Sequence, residues 1–281
     1  MKINKERIVE ISVMGEISHP SIRMPRLDGE GKTYYVPSVG GITYNFSLGD
    51  PAFFPYGDHI EPDVSTKNKD KTENDAYLSL SCIGNEAIVV SGDAKGMKGI
   101  VIGKHGGINH VLIYFPEKDK LSIGDKVLVR AWGQGLVIED YPEISVYNID
   151  PELFESIFTE EGGGIVAPVT TIVPGFMMGS GIGASNPTMG DYDINTRDRE
   201  LVERYGINKV KIGDLVAIDN HDCRHGLGGY KEGMVSIGVV VHSNCVITGH
   251  GPGVTVVMTG PKDKIKVITN GDANIKNYIA W

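Results

Sequence analysis

Short apolar runs rich in Val and Ile, each closed by glycine or proline, recur along the whole chain. β-Branched residues suit a pleated surface, and Gly and Pro punctuate it, so the pattern predicts strands joined by turns, with few helices. In the first half the expected strands are 8–13, 77–83, 87–91, 99–102, 110–115, 126–130 and 144–147. In the second half they are 165–173, 215–219, 234–242, 254–259 and 264–269. Two segments carry helical spacing instead. In 150–158, Asp150 can cap and Pro151 occupies the first helical position. In 197–205 the pattern is stopped by Gly206. The all-polar stretch 67–75 reads as a solvated loop.

After the first helix comes Glu160-Glu161-Gly162-Gly163-Gly164, polar and glycine-rich, which is the expected domain boundary. It divides the chain into an N-terminal β domain, 1–160, and a C-terminal β domain, 161–281, the latter carrying the candidate site. A single domain with a surface loop there is the alternative. The fold class expected is mainly β: two β-barrel-like or β-sandwich-like parts with few short helices. An internal echo supports the division. Segments 121–129 and 210–218 share the pattern apolar-x-Ile-Gly-Asp-x-Val-x-apolar, each a tight turn launching a strand.

Composition places this chain of 281 residues among ordinary folded proteins, with 41% hydrophobic and 22% charged residues. A net charge of −9 disfavours a general nucleic-acid binder. The local stripe Lys95, Lys98, Lys104 and His105 keeps an RNA-binding barrel as a further alternative. Cys82, Cys223 and Cys245 cannot all pair within one chain and lack CxxC spacing, which points to a reducing compartment. The N-terminus lacks the apolar stretch of a secretory signal, and no apolar run approaches the roughly 20 residues of a membrane-spanning helix. A cytoplasmic protein without membrane contact is expected, and a homo-oligomer is open.

The strongest chemical candidate is Asp219-Asn220-His221-Asp222-Cys223-Arg224-His225, directly after an expected strand. If it stays extended, alternation puts Asp219, His221, Cys223 and His225 on one face, a ligand set suited to zinc or a similar divalent metal. A polar surface loop is the bland alternative, and a Cys223 nucleophile beside Arg224 a third. A second constellation runs from His242 to Gly253. If Ser243-Asn244 is a hairpin turn, His250 lies roughly 16 Å from His242, so both serve one ion only if the segment curls. Gly249-His250-Gly251-Pro252-Gly253 holds an imidazole at a loop tip or makes a tight turn. The glycine-rich loop 175–193 lacks the helix a dinucleotide fingerprint needs, because Pro187 follows, and is expected to line or cover a pocket.

Residues 92–115, Gly133-Gln134-Gly135-Leu136 and 213–260, with Ile237-Gly238-Val239-Val240-Val241-His242 and the loop around His250, resemble a prokaryotic family known only as a domain of unknown function. The resemblance covers most of the chain and implies an all-β fold with N- and C-terminal parts. A fainter similarity is to acetamidases and formamidases, metal-assisted hydrolases of small amides. Gly190-Asp191-Tyr192-Asp193-Ile194 and Ile212-Gly213-Asp214 resemble their Gly-Asn-x-Asp and Gly-Asp segments, although Asp191 replaces Asn and Val216 stands where a histidine belongs. Only Asp193 and Asp214 match in type.

These readings converge on a small-molecule hydrolase. His221 and His225 are expected to bind a divalent metal with Asp219 or Asp222 as a further ligand, and His250, or Asp222 as a carboxylate, to handle the proton. The rival is a non-catalytic anion-binding or assembly protein in which the histidines are structural.

Overall fold

The first strand, β1 (Ile11–Ile17), ends in a buried Ile17 and is followed by a two-stranded ribbon, β2 (Arg26–Leu27) and β3 (Thr33–Tyr34). The computed structural model describes residues 1–22, 26–181, 186–224, 229–245, 247 and 249–279. Then come β4 (Val64–Lys67), the helix α1 (Lys71–Leu80), β5 (Glu86–Val89), β6 (Lys98–His105), β7 (His110–Tyr114) and β8 (Lys126–Ala131). Strands β1, β4, β7, β6, β5 and β8 pair in that order, all antiparallel, and β8 returns to β1, closing a six-stranded barrel. Closure removes exposed sheet edges, and inward Val64, Ala87, Val89, Val101, Val111, Ile113, Val127 and Val129 fill the interior.

Helix α1 occupies a segment expected as loop and strand. Asp70 accepts from Glu73 N at 2.9 Å and so starts the helix within the polar stretch. Its apolar face then buries Tyr77 and Leu78 in the barrel core, with the Tyr77 hydroxyl 2.7 Å from Thr66 Oγ1. The 77–83 run was too short to separate a helical from a strand period.

Past β9 (Ser145–Val146), helix α2 (Pro151–Ile157) begins at the Asp150 cap, as its sequence predicts. The Glu160–Gly164 stretch is a hairpin turn between β10 (Thr159–Glu161) and β11 (Gly164–Val169), with Gly162 and Gly163 at positive φ. The 165–173 run divides at Thr170: β11 pairs in one sheet and β12 (Thr171–Pro174) in another. Next come β13 (Tyr192–Asp193), helix α3 (Arg199–Arg204), β14 (Leu215–His221), β15 (Tyr230–Val240), β16 (Gly253–Pro261) and β17 (Ile265–Thr269). The larger sheet runs β12, β14, β15, β16, β13, with β9 also on β16; β10, β11 and β17 form a smaller one. The molecule is thus mainly β, a barrel joined to sheets.

The Gly-Asp echo is structural. Gly124 and Gly213 both take positive φ, and Asp125 and Asp214 each accept from the amide three residues back at 2.8 Å before β8 and β14 begin. A third turn of this kind, Ser47 to Asp50, straps the first half to the second: Gly49 N donates to Ile212 O and Ala52 N to Val210 O, both at 2.9 Å. A large apolar core accordingly contains Phe46, Leu48, Ile102 and Leu112 beside Val216, Ile237 and Val256. Here, where barrel meets sheet, the ends of β6, β13, β15 and β16 come together.

Candidate functional site

Three loop anchors set the site. Ser243 N donates to Ile60 O at 3.0 Å, Ile60 N donates to Ser243 Oγ at 2.8 Å, and Asn244 N donates to Ala52 O at 2.8 Å, so the stretch after β15 is pinned to the loop carrying Asp58, His59 and Glu61. His59 itself has φ +57, a left-handed conformation held by these anchors. The segment after His242 therefore curls instead of forming a hairpin, and His242 and His250 face opposite oxygens of one carboxylate. His242 Nε2 lies 3.1 Å from Asp193 Oδ1, and His250 Nδ1 lies 3.3 Å from Asp193 Oδ2.

Four imidazoles converge. Ring centroids of His59 lie 5.7 Å from His105, 5.3 Å from His242 and 5.4 Å from His250, and those of His105 and His242 are 4.3 Å apart. His105 closes β6, His242 follows β15, and His250 precedes β16. Asp193 ends β13, with Asp191 two residues before, so the i, i+2 spacing turns both carboxylates toward His242 Nε2, at 2.9 and 3.1 Å. Two His-Asp-His groups have ligand atoms mutually within 4.8 Å: His105, Asp191 and His242, and beside it His59, Asp193 and His250.

Behind the first nitrogens stands a second layer. His105 Nδ1 donates to Glu61 Oε1 at 2.6 Å, His59 Nδ1 donates to Asp58 Oδ1 at 3.0 Å, and His242 Nδ1 donates to the Ser243 carbonyl at 2.8 Å. Each bond fixes the tautomer and leaves Nε2 as the nitrogen available to a cation, the usual arrangement behind metal-bound histidine. Glu61 is itself held by His110 Nδ1, Gly40 N and the Ser65 hydroxyl. Burial alone would raise its carboxyl, but His110 and His105 bring it well below the usual range, so it is an anion. Asp58 accepts the Cys245 thiol at 2.8 Å as well; burial opposes its charge, yet His59 and Cys245 bring its pKa down to about 2.

His242 decides what the cluster is built for. Its Nδ1 faces a carbonyl and its Nε2 two carboxylates, all acceptors, so a positive charge is required between Nε2 and the aspartates: either a proton or a metal ion. Burial opposes charge on this ring, but Asp191 and Asp193 raise its pKa well above the ordinary value. Asp191 Oδ2 is buried, out of hydrogen-bond alignment although 2.9 Å from His242, and has no hydrogen-bond partner. An orphaned carboxylate oxygen aimed at imidazole nitrogens fits a divalent cation bound by N and O ligands. Gly253 makes room: a Cβ there would overlap both Asp191 Oδ2 and His242 Nε2.

A cavity of about 330 Å³ opens onto the cluster, lined by Arg26, His59, His105, Asp191, Asp193 and His250 and by the glycine-rich stretches 106–107, 180–181 and 190. The 175–193 loop thus contributes to its wall. Arg26 lies 3.6 Å from Asp58.

The sequence candidates fall in two places. His250 is in the cluster. Asp219, His221 and Asp222 are outside it, and His225 lies outside the described residues. Asn220 takes φ +53 and the β14–β15 register shifts between Asp219 and His221, so the assumed alternation is broken. Asp219 pairs with Lys262 at 2.6 Å, fully buried His221 bonds Ser236 Oγ at 2.8 Å, and Asp222 is bonded by Arg224 at 2.9 Å. None joins a metal-capable group among the described residues. The basic stripe is split between surface and interior: Lys95 and Lys98 are exposed, with Lys98 paired to Glu86 at 2.7 Å. Lys104 is fully buried on Ser79 O, Asn148 Oδ1 and Thr188 O, and His105 is in the cluster. Sequence reasoning passed over Asp58, His59, Glu61, His110 and Asp191 as site residues. A neighbouring glycine marks two of these positions, Gly57-Asp58 and Gly190-Asp191. Of the aspartates matched to acetamidases, Asp193 is in the site, whereas Asp214 secures a turn and Asn274.

Among the described residues no helix is long and apolar enough to cross a membrane. No curated protein matches the chain. A solved structure described as "Crystal structure of TM1086" is similar over 100% of this chain and 99% of its own, with 50% identity and a TM-score of 0.94. Residues 25–155 match "Domain of unknown function (DUF4438), N-terminal" and residues 155–279 match its C-terminal counterpart. The chain therefore belongs to this two-part family of unknown function, with the His-Asp cluster drawing residues from both parts.

Proposed function

We propose that the protein is a metal-dependent hydrolase of a small, polar molecule, with a divalent first-row ion such as zinc held by His105, Asp191 and His242. The observation that carries this reading is His242 Nε2, turned to both Asp191 and Asp193 with its Nδ1 already fixed, beside a His105 whose Nδ1 is likewise committed to Glu61. Such an ion supplies Lewis acidity and a water of lowered pKa. Glu61 orients His105, and Gly106 N, donating to Asp191 Oδ1 at 2.7 Å, orients that carboxylate. The cavity suits a small substrate, and Arg26 with the glycine-lined wall suits one bearing an anionic or strongly polar group. Three buried, unpaired cysteines support a reducing, cytoplasmic setting.

The test is elemental analysis of the purified full chain, followed by chelation, reconstitution and a hydrolysis screen over amides, esters and phosphate esters. A stoichiometric ion and a metal-dependent activity abolished in His105→Ala are expected. A folded protein that takes up no divalent ion overturns the reading; bound metal without turnover across the screen makes it a binding protein.

A further inference from the structure

We infer that the cluster is a dinuclear centre, with a second divalent ion held by His59, Asp193 and His250 and Asp193 bridging the two ions. The inference rests on the metal reading above and deepens it. Three observations carry it.

The first is the placement of Asp193. Its Oδ1 lies 3.1 Å from His242 Nε2, in the first group, and its Oδ2 lies 3.3 Å from His250 Nδ1, in the second. One carboxylate turning its two oxygens to imidazoles of two different ligand sets has the disposition of a bridging ligand. The second group is also complete by itself, since its three ligand atoms lie mutually within 4.8 Å without borrowing from His105, Asp191 or His242.

The second is the state of His59. Its Nδ1 is committed to Asp58, which also takes the Cys245 thiol, so Asp58 and Cys245 stand behind the ring and Nε2 is left for the ion. This repeats the Glu61–His105 arrangement behind the first group. His59 is not among the first group's three ligands, so its carboxylate-backed imidazole is left to serve the second.

The third is charge. With the ligand imidazoles neutral, as ligation requires, and His110 uncharged, Asp58, Glu61, Asp191 and Asp193 contribute four negative charges and Arg26 one positive, a net of about −3 in a largely buried site. One divalent ion leaves it negative. Two make it positive by one unit, the sign that attracts an anionic substrate group or hydroxide. The second group is the one nearer the cavity, since His250 is partly exposed and His242 is fully buried. Together the ions would hold attacking water and substrate oxygen side by side, as two-metal hydrolytic sites do.

The experiment uses the metal-stripped full chain reconstituted with Mn²⁺, with ions counted by elemental analysis and electronic coupling read by electron paramagnetic resonance. The expected result is two ions per chain with a spin-coupled signal. His250→Ala and, as a gentler variant, His59→Gln should each leave about one ion and an uncoupled six-line spectrum. Saturation of the folded wild type at one ion overturns the dinuclear centre and leaves the mononuclear hydrolase standing. Uptake of no ion overturns both. Two uncoupled ions in the wild type overturn the Asp193 bridge and with it the inference.

Discussion

Gly253→Ala puts one methyl group where the structure has least room for it. The added Cβ would overlap Asp191 Oδ2 and His242 Nε2, the two atoms that face each other across the proposed first ion position. Restoring ordinary contact requires these atoms to retreat by about 1.1 to 1.5 Å, several times the ~0.2 Å that a metal–ligand bond tolerates. Neither can retreat freely. Asp191 is tied to Gly106 N at 2.7 Å and His242 to the Ser243 carbonyl at 2.8 Å. Displacing two ligands should exceed the 10–100-fold loss seen on removing one outer-shell partner, so metal affinity should fall by at least ~100-fold, or about 2.7 kcal/mol. Overpacking costs a further ~1–3 kcal/mol of fold stability. Competitive titration against a chromophoric chelator measures the first quantity and urea unfolding of the metal-free protein the second. A folded G253A variant binding metal as tightly as the wild type would refute the placement of the ion between Asp191 and His242.

Three other outcomes are expected. Glu61→Gln removes the anion that orients His105 and His110, and chelator competition should show metal affinity weakened by about 10–100-fold, with an unchanged value arguing that Glu61 is merely structural. His221 is buried with its Nε2 unpartnered, and burial lowers its pKa to about 4. Because the unfolded ring binds a proton near 6.5 and the folded ring only near 4, its contribution is complete above 6.5 and is lost as pH falls toward 4, a total of roughly 3 kcal/mol. Urea unfolding from pH 7 to 4.5 should therefore show a shallower stability loss in His221→Phe than in the wild type; parallel curves would contradict this. Gly124→Ala meets nothing within 4 Å and should cost only the ~1–2 kcal/mol of a left-handed residue, whereas Gly213→Ala also overlaps Leu48 and Asn274 and should cost more. Equal losses would mean that the two turns differ in sequence context only.

Local chemistry was readable wherever its partners lay within a few residues. The Asp150 cap with Pro151, the helix ending at Gly206 and the paired Gly-Asp turns all depend on backbone groups at short separation, and each forms as its sequence predicts. Alternation failed where a longer-range term intervened. The 77–83 run is helical as far as Leu80 because Tyr77 and Leu78 are buried by the barrel, and the 165–173 run divides because Thr170 N is captured by Leu215 O in a different sheet.

The site shows the same limit more sharply. The stretch 219–225 offers candidate ligands by local density, but closeness in sequence gives a shared face only while the backbone stays extended. A single positive φ at Asn220 is enough to undo that face. The cluster instead draws one to three residues from each of several separate segments, at Asp58 to Glu61, His105, Asp191 to Asp193, His242 and His250, which only the fold brings together. What they share is the local means of bringing a side chain to a chain reversal or strand end. Gly106 and Gly190 pack backbone against backbone, Gly253 leaves space for two ligands, and His59 sits at positive φ. Such positions are cheap to hold only when the fold pins them, which the contacts from Ile60 to Ser243 and from Ala52 to Asn244 do. A glycine beside a histidine or aspartate marks His105, Asp191 and His250 but equally the turn residues Asp125 and Asp214, so it separates site from turn only together with the long-range contacts that gather the first three.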